Sequence, residues 1–141
     1  MQVNSFLYPE IKESDRQFAG TFPVINPRKD WKGICINELQ SQKNIEPSSC
    51  FIESQQAIIA TLMEYTYGIK DSNFSARFNA LLSNGTEMGG DPVRGALSLK
   101  KDGLIPQSMM DWEGVNSFDD FHSWKNVDKE KCLLEGKNFA N

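Results

Sequence analysis

The segment 48-SSCFIESQQAIIATLMEYTYG-68 constrains the fold more than any other part of the chain. Phe51, Ile58, Leu62 and Tyr65 fall on one stripe at helical period. Ile52, Ile59, Met63 and Thr66 fall beside it. The two stripes predict a long helix with a broad apolar face, the kind that sits at the centre of a domain. Ser48 or Ser49 is the expected cap, because a serine hydroxyl accepts an orphan N–H of the first turn. Gly68 is the expected stop.

Two more helices follow. A short one is expected over 75-SARFNALLS-83, with Phe78, Leu81 and Leu82 inward. Then 84-NGTEMGG-90 puts three glycines and an asparagine into seven residues, which predicts a loop with left-handed backbone or close backbone approach. The next helix is punctuated at both ends. Asp91 is its N-cap, Pro92 its first residue and Gly103 its stop, with Pro106 beyond. Val93, Ala96, Leu97 and Lys100 make its expected buried stripe and edge. After Met110 the pattern weakens into aromatics alternating with charge, with a last helix near 127–135 and His122 read as a surface or interface residue. Residues 1–30, with Pro9, Pro23 and Pro27, read as an extended N-terminal arm with one short strand near 20-GTFPVI-25. The segment 31–47 reads as loop with a short turn of helix.

Composition narrows the function. A net charge of −4 argues against a nucleic-acid partner, which needs a basic footprint. No apolar run approaches the ~20 residues of a membrane span, so no membrane partner is expected. The start, MQVNSFLYPEIKESDRQ, lacks the basic residues and apolar core of a secretory signal. Cys35, Cys50 and Cys132 are widely spaced and the chain has one histidine, so no metal site and no cofactor are expected.

Cys50 sits at the front of the long helix. The positive end of the helix dipole favours the thiolate, the reactive form of cysteine. The competing reading is a small buried hydrophobe, a common fate for a free cysteine. Glu53, in the first turn, favours the helix but opposes the thiolate if it lies close.

The run 49-SCFIES-54 resembles the sequence around the nucleophile of papain-like cysteine peptidases. There a serine precedes the cysteine, a tryptophan follows it, and a serine comes four residues on. Ser49, Phe51 and Ser54 occupy those places. The pair 89-GG-90, followed by 91-DPVRGALSLKKDGLIP-106, is similar to that family's substrate-facing Gly-Gly loop and the helix after it. The likeness is closer to divergent papain-like proteins of tailed bacteriophages. Those carry an "NFSxRF"-like segment, a "GL(V/I)P" turn and an acidic-x-Gln motif ahead of the cysteine. Here these are 73-NFSARF-78, 103-GLIP-106 and 38-ELQ-40.

The resemblance covers roughly residues 30–110. It implies an α+β, papain-like fold, of which this chain supplies mainly the helical lobe, with a long central helix and little strand. Residues 31–110 would form that lobe. Residues 111–141 would be a C-terminal extension leading towards a missing or lost β lobe. Cys50 matches the nucleophile and Gln40 the oxyanion donor, with Gln42 and Asn44 as the other options. Gly89 and Gly90 match the substrate-binding backbone. Phe51 replaces the usual tryptophan, and Met88 stands where many members have a disulfide cysteine. The family's catalytic histidine has no match. One expectation is a bacteriophage virion or tail component, made in the host cytoplasm without a signal peptide. It would contact other virion proteins through its arm. The other is an active thiol peptidase acting on a peptide or protein, its His and Asn lying beyond residue 141.

Overall fold

The computed structural model describes residues 45–70 and 72–140. Cys35, Gln40, Gln42, Asn44 and the arm with its expected strand lie outside the described residues. Five helices follow in order: α1 Cys50–Tyr67, α2 Ala76–Leu82, α3 Pro92–Asp102, α4 Phe118–Phe121 and α5 Lys129–Ala140, with a 3₁₀ turn at Gln107–Met109. Isolated antiparallel bridges join Phe74 to Pro106 and Thr86 to Gly89. The described residues are thus mostly helical with little sheet.

The ends of α1 fall where expected, but the start is made differently. Gly68 ends the helix in left-handed backbone, its N–H donating to Glu64 O. Neither serine side chain caps the start. The Ser49 carbonyl accepts from the Ile52 and Glu53 amides, while its hydroxyl donates to Glu53 Oε1 at 2.8 Å. The broad apolar face is buried only in part. Phe51, Ile52, Gln56 and Ala60 are buried, whereas Ile58 is 60% exposed, and Leu62 and Tyr65 are also exposed. The first three turns pack on the domain and the rest of α1 runs out along its surface.

The stripe expected of α3 is also corrected. Asp91 caps it by accepting from Val93 N, and Gly103 ends it at φ +75°. Yet Val93 and Leu97 are exposed, and Gly95 and Ser98 face inward. The reason is steric. A Cβ on Gly95 would stand 2.9 Å from Ile52 Cδ1, so α3 turns its smallest residue to α1 and comes close. Gln55 Nε2 then reaches the Pro92 carbonyl at 3.0 Å. A groove of about 390 Å³ lies between α1, α3 and α5, lined by Ile58, Ala96, Leu99 and Phe139 among others.

Two apolar clusters flank α2. Phe51, Ile52, Ala80, Val115 and Phe121 form one, with Ile45 and Trp112 against it. Phe78, Ile105, Met110 and Cys132 form the other, with Leu81, Leu82 and Trp124 against it. Residues 111–140 therefore contribute Val115, Phe121 and Cys132 to the same core as the preceding helices. The α5 helix crosses the end of α3 at a glycine pair. A Cβ on Gly103 would overlap the Gly136 carbonyl, and one on Gly136 would overlap the Asp102 carbonyl.

Buried polar groups tie these parts together. Gln56 Nε2 donates to Asn79 Oδ1 at 3.0 Å and to Ser75 O at 3.2 Å. Asn79 Nδ2 donates to Gly103 O and Ser98 Oγ, linking α2 to α3. Arg77, only 3% exposed, donates to four carbonyls: Asp111 at 2.6 Å, Asp120 at 3.0 Å, Ser123 at 3.1 Å and Phe121 at 3.2 Å. Burial pulls its pKa down, while nearby Asp111 and Asp120 favour the charged form.

Arg77→Met would leave those four carbonyls without this donor. Stability should fall by more than about 3 kcal/mol, the scale for breaking a buried charged network. Arg77→Lys should recover only part, because an ammonium lacks the planar fork. Urea unfolding followed by tryptophan fluorescence measures both. A loss within about 0.5 kcal/mol, the range of ordinary surface substitutions, would remove Arg77 from this role.

Candidate functional site

Cys50 is the first residue of α1 and is half-buried. Its carbonyl accepts the Ser54 hydroxyl at 2.7 Å, so the serine matched four residues on braces the first turn. The next residue, Phe51, is fully buried and fixes the rotation of the helix. With Phe51 aimed into the core, Cys50 comes to its edge.

The backbone before Cys50 is unusual. Ser48 is fully buried and holds φ +53°, a conformation that costs a non-glycine residue free energy unless its surroundings fix it. Two hydrogen bonds do so: its N–H donates to Glu46 Oε1 at 3.0 Å, and its hydroxyl to the Glu87 carbonyl at 2.8 Å. The second bond joins the Cys50 turn to the loop that carries Gly89 and Gly90.

That loop is tightly closed. Thr86 and Gly89 exchange backbone hydrogen bonds at 2.9 and 2.8 Å, and the Thr86 hydroxyl also donates to the Gly89 carbonyl. Gly89 sits at φ +104°. Both glycines are buried. Gly90 lies flat against the Phe51 ring, which a Cβ there would penetrate. Cys50, Gly89 and Gly90 are thus brought together, but two features differ from an open substrate-facing strand. The backbone groups of Gly89 are engaged by Thr86, and Gly90 has a packing reason to be glycine. Met88 is exposed at the loop tip.

His122, expected at the surface or an interface, is half-buried, with one face of its ring turned inward. Its ring stacks on Phe118 with centroids 4.0 Å apart and tilts against Phe121 at 5.0 Å. Nδ1 lies 3.3 Å from the Phe118 carbonyl, a hydrogen bond in the tautomer that protonates Nδ1. Nε2 is buried with no hydrogen-bond partner, and a Cβ on Gly85 would stand 2.8 Å from it. Burial holds the imidazole pKa below its ordinary value, the Phe118 carbonyl pulling it partly back. The imidazole thus sits in the wedge between α4 and Gly85, at the tip of the Phe51 ring.

Sequence reading missed Ser48, Gly85 and Arg77 as the residues that set this geometry. Serine gives no signal for left-handed backbone. Arg77 did have one, as the charged residue inside 73-NFSARF-78. Among the described residues no group of three or more His, Cys, Asp or Glu could hold a metal ion, and no helix is long and apolar enough to cross a membrane. No family model, no curated protein and no solved structure matches the chain.

Gly90→Ala tests the contact beneath Cys50. The added methyl would displace the Phe51 ring, at a cost of about 1–3 kcal/mol, as for other overpacked cores. Gly68→Ala is the control: no atom lies within 4 Å of that Cβ, and only the left-handed backbone resists it. Thermal unfolding should rank Gly90→Ala as the more damaging. The reverse order would mean that the loop yields without disturbing Phe51.

Proposed function

We propose that this protein is a papain-like helical lobe used as a bacteriophage virion or tail component, with Cys50 in the place of the family's nucleophile. The observation that carries the reading is the Ser48–Glu87 hydrogen bond. It sets the cysteine-bearing helix start beside the Gly89–Gly90 loop, two of the features that carry the resemblance. A second observation supports the scaffold part of the reading. Phe74 of 73-NFSARF-78 bridges to Pro106 of 103-GLIP-106, with Ser75 N donating to Ile105 O and Gln107 N to Asn73 O. The two phage-like motifs lie side by side.

His122 favours the structural role over catalysis by this chain alone. Its nitrogens face the Phe118 carbonyl and the Gly85 backbone. In the alternative, an active thiol peptidase, a histidine and an asparagine beyond residue 141 would serve Cys50.

Competitive alkylation of the folded chain with iodoacetamide separates the two. Cys132 is the internal reference, because it is buried and burial pushes its thiol pKa up. A nucleophile would label faster than the same cysteine in a short peptide by about tenfold or more at neutral pH, and faster than both other thiols. A structural Cys50 labels no faster than the peptide, and Cys50→Ala leaves particle assembly intact. Loss of assembly in Cys50→Ala, with its fold intact by circular dichroism, would count against a purely structural Cys50.

A further inference from the structure

His122 is the single histidine of the chain, and the catalytic reading gives it no task. Its surroundings give it one. The ring fills the space between Phe118 and the backbone of Gly85, and the Gly85 N–H donates to Ala80 O at 2.9 Å at the root of the 84–90 loop. Nε2 points into this wedge with nothing to accept a proton's charge. The neutral tautomer fits, with Nδ1–H on the Phe118 carbonyl and a bare Nε2. A proton on Nε2 would create a buried cation whose new N–H has no acceptor, so one wall of the wedge must move.

The two walls are held by different means. On the α4 side, Arg77 grips the carbonyls of Asp120, Phe121 and Ser123, on both sides of His122. On the other side, the loop is tied back by the Gly85–Ala80 bond at its root, the Ser48–Glu87 bond and the seat of Gly90 on Phe51. Its tip residues Thr86, Glu87 and Met88 are exposed. The loop, with its tip in solvent, is the wall with room to move.

We propose that His122 is an acid-sensitive latch: its neutral imidazole holds the 84–90 loop closed against α1, and protonation of Nε2 releases the loop. The latch stands whether or not Cys50 reacts. The charges acting on the imidazole come from two elements. Arg77 on α2 opposes protonation, and Asp119 on α4 favours it. Asp120 is taken up by Lys125 Nζ at 2.7 Å and by the Asn116 amide. The loop carries Glu87 as its one charged residue, exposed, and α1 presents the uncharged Phe51 ring. The sign follows from burial, which lowers the folded imidazole's pKa from the ordinary 6.5. The closed form is fully favoured above that ordinary value. It loses its advantage as pH falls through the window between 6.5 and the lowered folded value.

The test is NMR on the full chain between neutral and mildly acidic pH. The lone imidazole reports its own titration, and amide exchange, corrected for intrinsic rates, reports opening. Protection of the Gly85 amide should fall by up to about tenfold per pH unit between the ordinary value of 6.5 and the imidazole midpoint, then level off below it, as one coupled proton requires. The Cys132 amide, which donates to Asp128 O just before α5, should stay protected. His122→Phe should keep Gly85 protected throughout, and His122→Gln is the second variant should the phenyl ring not fit. Three results would overturn the latch: Gly85 protection that persists after the imidazole has titrated, protection lost at Gly85 and Cys132 together, or equal loss in a folded His122 variant.

Discussion

Four carbonyl oxygens converge on one buried guanidinium, and the second half of the described structure depends on it. The segment from Asp111 to Ser123 has one short helix, so most of its backbone has no regular partner within itself. Buried carbonyls without donors cost free energy. Arg77 supplies a planar set of donors that satisfies Asp111, Asp120, Phe121 and Ser123 from a single point. With the segment fixed, Val115 and Phe121 enter the core beside Phe51, and His122 is delivered to Gly85.

Arg77 can do this because α2 is held from every side. Seven residues are too few for a helix to stand alone in water. Its successive side chains serve different neighbours. Phe78 fills one cluster and Ala80 the other, while Asn79 bonds α1 and α3. Ser75, just before it, donates to the Met110 carbonyl at 2.6 Å. A buried polar residue on α2 is thus matched to each connection that packs on it. Specific partners, more than apolar area, select this arrangement.

The sequence made punctuation legible and orientation much less so. Asp91, Pro92, Gly103 and Gly68 act locally, through caps and backbone conformation, and the helix ends lie where those residues put them. The buried face of α3 was misread because counting apolar residues favours Val93 and Leu97. Close approach to Ile52 favours Gly95, and close approach decided. The outer half of α1 was misread for a related reason: periodicity shows that a face is apolar, not that something covers it. Residues 111–123 looked patternless because their order comes from Arg77, over thirty positions earlier. No window along the chain contains both ends of such a bond.

The same distinction applies to the candidate site. Most of the residues behind the papain-like resemblance have packing or hydrogen-bonding tasks here. Phe51 fills the core, Ser54 braces the first turn, Gly90 seats the Phe51 ring, and 73-NFSARF-78 pairs with 103-GLIP-106. Their agreement with the family's pattern therefore bears on the scaffold. Cys50 differs in place: it stands half-buried at the head of α1, at the edge of the core that Phe51 fills. The strained Ser48 beside it is held by a bond to the Gly-Gly loop. The residues that build this helical scaffold are separate from any group that would activate the sulfur. Fold and activity in this protein are accordingly two questions, and only the thiol's own reactivity answers the second.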